Sequence, residues 1–572
     1  MARSRYTGRY TGRRPSRRAV ALVAALVAAA GAISIGAAAW GVAAPPQPKA
    51  ALGKPPAGIG LGSKAALAQA NCDPTRKRTN FATVGGGPFC VNPWPAGKDN
   101  GGATWPGVTA TAVKVLVLTP TPEQETAQRV RGGTLPVNQV TGQRGTWEDA
   151  FRDFNTVFVK GGAYQTWGRT VELEFQQSSG SDETAQRADA LAVAQKKPFI
   201  VIDATDQSLG MPVFESEVAK RKIIVDGAGI STKASLEQAP YRWNTAQDNT
   251  AGVYIAGELV GKSLSKHKAR WAGSPDLQKQ TRSFGVVYAQ GGVDIDLFNK
   301  VVTQWGGKKP GTEVAYDPTD SAQFEEAART MVARMKNSGV NNIVLFAESA
   351  MVSALTRAAT ANEFSPEWTV TGYQFHDFDG FGRGADQKQY AHAFGVGTLQ
   401  PLVTGTQATL GAFPWYWGAK QGTTNPTVGG WVGFVYNAIN YAGPKLTPAN
   451  VRKGLFAVPA TGGASQGRVT FQTGFGRSVA LPYDEYSALG TDKALIWWDP
   501  SAHGGANAVA TIVGDGKFQY LNGGKRVHYG QLPRREPPYF DKAQSVAEVS
   551  PAVYSEGVGA QRPCAGCPSS QP

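Results

Sequence analysis

Cysteine and histidine are scarce. Four cysteines (Cys72, Cys90, Cys564, Cys567) and five histidines (His267, His376, His392, His503, His528) are scattered over 572 residues, without the short repeated spacing of a zinc site. Cys564-Ala-Gly-Cys567 has the form of a redox motif, but it lies in a Pro/Ser-rich tail with no strand before it and no helix after it. Disulfides are the expected use of such a set outside the cytoplasm. The local pairing is Cys72 with Cys90 and Cys564 with Cys567, and bonds between the two ends of the chain are the alternative. No Lys/Arg run with interleaved aromatics occurs either. The net charge is +15, but Arg3, Arg5, Arg9, Arg13, Arg14, Arg17 and Arg18 supply seven of those charges and leave +8 for the rest. Nucleic-acid binding therefore has no footing, and no metal or cofactor is implied.

No acidic residue precedes Asp73, and the arginines run into an uncharged stretch from Ala19 to Ala44. Positive charge, then an apolar run, then small residues is the layout of an export signal. Ala37 and Ala39 before Trp40 offer one cleavage site, and Val42 and Ala44 before Pro45 another. The run is also long enough to cross a bilayer, which takes about 20 apolar residues. Residues 1–44 are thus read as a signal peptide or an uncleaved membrane anchor. Ser16-Arg17-Arg18 has a twin-arginine look, but Val20 and Ala21 fit that signal poorly, and no cysteine ends the run to carry a lipid.

Motifs of catalysis fail on context. Gly463-Ala464-Ser465-Gln466-Gly467 spells G-x-S-x-G, yet a strand from Arg468 to Phe471 is expected after it where a nucleophile elbow needs a helix. Ala256 to Ser263 nearly matches a phosphate loop but begins with alanine inside a helical pattern. Asp226-Gly227-Ala228-Gly229 follows a strand, with Thr232 where a dinucleotide fingerprint wants its third glycine. The chain is read as a non-enzyme.

Periodicity shows what is present. Residues 45–104 form a Pro/Gly-rich linker with a Cys72/Cys90 loop. A strand at Val113–Leu118 stops at Thr119-Pro120, and a helix from Thr146 to Lys160 carries Trp147, Phe151, Phe154 and Phe158 on one face. Strands then alternate with helices: Thr170–Phe175, Asp182–Ala194, Pro198–Asp203, Val213–Ala219, Lys222–Val225. The order repeats with Phe284–Tyr288, Asp294–Trp305, Thr312–Tyr316, Ala322–Asn337, Asn342–Phe346, Met351–Ala361 and Trp368–Tyr373. Asp320 or Ser321 is the expected cap of the helix that Gly339 closes. Such alternation predicts an α/β protein with two doubly wound parallel-sheet lobes. Residues 105–246 make lobe 1, 247–400 lobe 2, 401–545 a returning segment that completes both, and 546–572 a flexible tail.

The stretches NGGATWPGVTATAVKVLVLTP, RSFGVVYAQGG, AGPKLTPANVRKGL and GRVTFQTGFGR resemble type I periplasmic solute-binding proteins. The likeness is to the branched-chain amino acid (Leu/Ile/Val) ABC-transporter substrate-binding family, in its exported actinobacterial form, and covers roughly Cys72 to Asp541. It implies a three-crossover hinge between the lobes, a small-molecule solute in the cleft, a membrane ABC permease as partner, and a monomer.

In open α/β sheets ligands sit off the carboxyl ends of the strands. The expected site is therefore Thr119, Thr121 and Gln124 after the first strand, with Asp203, Thr205, Gly227, Ala228, Gly229 and Ser231 in the next loops. Tyr288, Gln290, Glu348, Ser349, Tyr373 and Phe375 face them from the second lobe. Backbone N–H groups near Thr205 and Gly227–Ser231 suit a carboxylate, and Glu348 or Asp377 an ammonium. Asp203 and Asp226 stand against that reading, either as helix caps or as ligand contacts. Phe413, Trp415, Tyr416, Trp417, Trp431, Phe434, Tyr436 and Tyr441 have the spacing of core residues; as cleft walls they would imply a ligand larger and more apolar than leucine. The expected function is an exported, extracytoplasmic receptor, envelope-associated or secreted, that captures an amino acid, amide or larger apolar acid for an ABC importer. A membrane-anchored sensing domain of the same fold is the alternative, and an exported α/β hydrolase the third class.

Overall fold

The structure is a computed structural model and describes residues 52–81, 87–130, 133–207, 209–229, 231–403, 412–418, 421–503, 514–550, 553 and 567–570. The expected export segment, residues 1–44, lies outside them, as does Cys564. Among the described residues no helix is long and apolar enough to cross a membrane.

Lobe 1 is built on β1 (Ala112–Thr119), β2 (Thr170–Gln177), β3 (Ile200–Asp203), β4 (Ile224–Gly227) and β5 (Arg242–Gln247), in the spatial order β2-β1-β3-β4-β5. All pairs are parallel. Lobe 2 repeats the plan with β6 (Phe284–Ala289), β7 (Thr312–Tyr316), β8 (Asn342–Phe346), β9 (Glu367–Val370) and β10 (Ala393–Gly397) in the order β7-β6-β8-β9-β10. The order reverses beside β1 and beside β6, so each lobe has a crevice at its carboxyl strand ends.

The chain passes between the lobes three times. It leaves β5 at Gln247 for the helix Asn249–Glu258, and it leaves β10 at Gly397 for a segment that packs on lobe 1. β11 (Ser487–Leu489) then lies parallel to β5, and the chain crosses again into β12 (Lys493–Asp499) of lobe 2. β12 runs antiparallel to β10 and to β13 (Lys517–Leu521). This antiparallel edge departs from the expected parallel sheet. Its segment, KALIWWD, is buried at every position, and antiparallel pairing needs no crossover helix.

Local chemistry explains the element ends. Thr146 accepts the Asp149 N–H at 3.0 Å and starts α1 (Trp147–Lys160). Its aromatic face is buried against α3, the helix Pro426–Ala442. The expected cap at Asp320 or Ser321 is not used. A short 3-10 turn, Ser321–Gln323, leads into α2 (Phe324–Asn337) without a side-chain cap, while Asp317 accepts the Thr319 N–H at 2.8 Å upstream. Strand β9 ends at Val370, short of the expected Tyr373. His376 Nε2 accepts the N–H groups of Thr371 (3.2 Å) and Gly372 (3.1 Å) and draws the chain off the sheet into a turn at Tyr373–Phe375.

The segment from 52 to 104, expected as a linker, lies on lobe 1. Ile59, Phe81 and Val91 join its core, and Asn100 donates to the Trp167 carbonyl at 2.9 Å. Cys72 and Cys90 are bonded to one another. Cys567 is also disulfide-bonded and is buried in the lobe 1 core, and Ser569 Oγ donates to the Trp415 carbonyl at 2.5 Å. Within the expected tail, Glu548–Val549 pairs with Leu402–Val403.

Candidate functional site

A cavity of about 540 Å³ lies where the two lobes and the crossovers meet. Lobe 1 contributes Phe154, Phe158, Trp431 and Phe434; lobe 2 contributes Gln374, Phe375, Phe378 and Phe381; the crossover side contributes Thr245, Leu399 and Leu489. The volume falls within the range of roughly 300–1,000 Å³ that drug-sized ligands occupy. Its walls are mostly aromatic and aliphatic, so a solute would be held chiefly by apolar contact, with Gln207, Gln374, Asn425 and Asn437 as polar groups at the wall.

Of the expected site residues, Phe375 lines this cavity. It and Gln374 hold positive φ angles of 55° and 48°, in the turn that His376 pins. Burial pushes the His376 imidazole down to about 4. Its Nδ1 lies 2.8 Å from the Ala347 carbonyl while Nε2 accepts two main-chain N–H groups. The neutral ring thus fixes the path that delivers Phe375 to the cleft.

The loop after β1 is engaged elsewhere. Thr119 Oγ1 donates to the Gln176 carbonyl at 3.3 Å, the Thr121 N–H donates to Gln124 Oε1 at 2.8 Å, and Gln124 Nε2 reaches Ser178 Oγ at 3.3 Å. Thr121 and Gln124 line a separate cavity of about 340 Å³ with Ser179 and Ser181.

Asp203 and Asp226 face inward. Asp203 accepts the N–H of Thr205 (3.1 Å), the hydroxyl of Thr205 (2.5 Å) and the N–H of Met211 (2.8 Å). Asp226 accepts the Thr245 hydroxyl, and Thr245 is itself a cavity residue. Burial drives both carboxyls up, Asp226 well above its ordinary range, and raises neighbouring Glu215 to about 8 despite its ion pair with Arg242. Asp203 and Asp226 are both buried and take their hydrogen bonds from groups of lobe 1. Gly227 ends β4, and any Cβ at Gly210 would stand 2.4 Å from the Ala228 carbonyl oxygen. Gly229 holds φ +72°, Ser231 accepts the Ala234 N–H at 3.2 Å as a helix cap, and Ile230 lies outside the described residues.

In lobe 2, Glu348 accepts the Tyr316 hydroxyl beneath the helix that begins at Ser349. Burial, then the Glu348 charge, holds the Tyr373 phenol above its ordinary range, and its oxygen packs where any Gly292 Cβ would lie 2.3 Å away. Tyr288 is half-buried at the end of β6, and Gln290 is exposed with its N–H on the Tyr316 carbonyl. Tyr316 and Tyr373 interact with Glu348, and none of these residues lines the large cavity.

Polar groups tie the crossovers together. Gln247 Nε2 donates to the Gly372 carbonyl at 2.8 Å, Lys493 donates to the Thr398 hydroxyl, and Arg526 pairs with Asp492 at 3.0 Å while reaching the Thr398 and Leu399 carbonyls. Burial lowers the Lys493 ammonium to about 8, with Asp377 opposing.

Ser465 departs from expectation. The chain after Gly463–Gln466, a short helix, is irregular where a strand was expected, and Ser465 Oγ lies 3.0 Å from His528 Nε2. The Ser465 hydroxyl also donates to Gln472 at 2.5 Å, and His528 Nδ1 faces the Thr491 main-chain carbonyl at 3.3 Å instead of a carboxylate. A hydrolytic triad would orient that nitrogen with an acid.

The aromatics read as core, with cleft wall as the alternative, combine both places. Phe154 and Phe158 on α1, Phe413, and Trp431, Phe434 and Tyr441 on α3 are buried in the lobe 1 core and also line the cavity, whereas Trp415, Tyr416 and Tyr436 are buried in that core and do not line it.

No protein-family model matches this sequence, and no curated protein matches it. Three solved structures illustrate what it is similar to. One is the solute-binding protein of an ABC transporter from Rhodopseudomonas palustris BisB5 in complex with 3,4-dihydroxybenzoic acid (11% identity, 68% of this chain and 93% of that chain covered, TM-score 0.43). Another is the leucine-, isoleucine-, valine-, threonine- and alanine-binding protein from Brucella ovis (11%, 77% and 100%, TM-score 0.46). A third is a fatty acid ABC transporter substrate-binding protein from Thermomonospora curvata (14%, 72% and 92%, TM-score 0.40). Two doubly wound lobes with matching strand order, joined by three crossovers around one cleft, give this chain the type I periplasmic binding protein fold.

Proposed function

We propose that this protein is a non-enzymatic, extracytoplasmic solute receptor that closes its lobes over a small organic molecule with a largely apolar body and hands it to a membrane ABC permease. The observation that carries the reading is the cavity of about 540 Å³ at the crossovers, walled by both lobes. A site shared between two lobes on a hinge converts ligand contact into closure, because the contacts across it exist only when the lobes meet. The ring-lined wall favours an aromatic, alicyclic or long-chain body over a free amino acid, whose ammonium and carboxylate would both need partners in that wall. A thermal-shift screen of amino acids, amides, aromatic acids and steroid-like compounds tests it. A true ligand at 100 times its Kd adds about 2.7 kcal/mol of stability. A panel that leaves the melt unmoved, with a model ester or amide hydrolysed instead, would overturn the reading.

A further inference from the structure

Among the described residues that line the large cavity, one alone carries a charged side chain: Arg78. It comes from neither lobe sheet but from the segment closed by the Cys72–Cys90 bond, which lies over lobe 1. We propose that Arg78 is the anion anchor of the cavity and that the solute is an amphipathic monocarboxylate, its acid head on Arg78 and its apolar body along the aromatic wall. The inference rests on the receptor reading above and names the ligand class of that same site.

Three features place the guanidinium for this role. Arg78 Nη1 donates to the Gly87 carbonyl at 2.8 Å, and its guanidinium carbon stands 3.9 Å above the Phe89 ring. Both contacts hold the planar guanidinium in a fixed orientation at the cavity wall, the geometry that suits a carboxylate. The adjoining wall is Tyr164 and Tyr441, and the Phe89 N–H donates to the Tyr441 hydroxyl at 2.7 Å, which joins the disulfide-closed segment to α3. Burial raises the Tyr441 phenol to about 12, and the field of Arg78 pulls against that rise, so the charge reaches into this wall. No Asp or Glu stands among the described residues that line the cavity. One cation in a wall that is otherwise uncharged and mostly apolar selects for a solute with one acid group and a largely apolar body.

The test measures binding to the full mature chain by calorimetry, using dodecanoate and naphthylacetate, each beside its primary amide, with wild type, Arg78→Gln and Arg78→Lys. The expected result is tighter binding of at least one acid than of its amide. Arg78→Gln should then weaken that acid about tenfold or more while changing the amide less than about twofold, with Arg78→Lys recovering part of the loss. Equal binding of acid and amide by wild type, or an equal loss of both in Arg78→Gln, overturns the anchor and leaves the receptor standing. If neither acid nor amide binds wild type, the anchor falls; if the wider screen is also silent, so does the receptor. Matching circular dichroism and Tm of the variants separates a lost contact from a lost fold.

Discussion

Replacing His376 by Gln should remove a pH-dependent loss of stability that the wild type shows on the acid side of neutrality. The imidazole is buried, accepts the Thr371 and Gly372 N–H groups on Nε2 and faces the Ala347 carbonyl with Nδ1, so it serves the fold only when neutral. Burial lowers it from its ordinary 6.5 to about 4. Between those two values the unfolded chain takes up a proton that the native ring refuses. Native stability contributed by the neutral ring is therefore complete above 6.5 and is lost as pH falls toward 4. At about 1.36 kcal/mol per unit, that interval corresponds to about 3 kcal/mol. Urea unfolding of wild type and His376→Gln, followed by fluorescence from about pH 7 down to about pH 4, gives the difference directly, and the titrations of Asp377 and Asp379 largely cancel in it. The variant should be less stable near neutrality, and its gap to wild type should narrow steadily with acid. A gap that stays constant through this range would refute the assignment of a neutral imidazole holding the turn that presents Phe375.

Lys493 gives the opposite window. Its native ammonium is lowered by burial from 10.5 to about 8, so the wild type should gain up to about 3 kcal/mol relative to Lys493→Met as pH rises through that interval, read from paired urea curves. Arg282 is wholly buried between Glu367, at 2.6 Å, and Glu536, at 2.5 Å. Arg282→Met leaves buried Glu367 without its cation, while Glu536 keeps Arg270 at 2.8 Å, and should cost about 3–5 kcal/mol in chemical denaturation at neutral pH.

The lobes were legible because each strand and helix announces itself locally. The helix at Trp147 has its Thr146 cap and four rings on one face, and β8 is apolar from Ile343 to Phe346. The repeated strand–helix order then leaves few topologies once crossovers are right-handed. The candidate site was harder to read for a physical reason. A ring on the inner face of α1 or α3 has the same helical spacing whether it meets another side chain or an open cavity, so Phe154, Phe158, Trp431 and Phe434 carried no mark of function. Arg78 was invisible for another: its role depends on a fold-back of the cysteine-bounded segment, in which Phe89 meets Tyr441 across a sequence separation of 352. Of the strand-end residues, Phe375 lies on the cavity wall, while Asp203, read either as a cap or as a ligand contact, accepts the N–H groups of Thr205 and Met211. Short loops with acidic side chains cap their own helices at least as readily as they meet ligands.

The central claim is that the aromatic cavity between the lobes is where the solute sits, and filling it tests that most directly. Gly433 lies inside α3 on the cavity wall, and a Cβ there would stand 3.7 Å from Phe158 Cζ, an ordinary contact. Gly433→Leu should therefore fold, gaining roughly 0.5–1 kcal/mol from lost backbone freedom in the helix, while its side chain occupies ligand space. Calorimetric titration of the acid or other solute that shifts the wild-type melt should show saturable binding to wild type and affinity at least about tenfold weaker in Gly433→Leu at equal or higher Tm. Equal affinity in the two proteins would place the solute elsewhere and contradict the account.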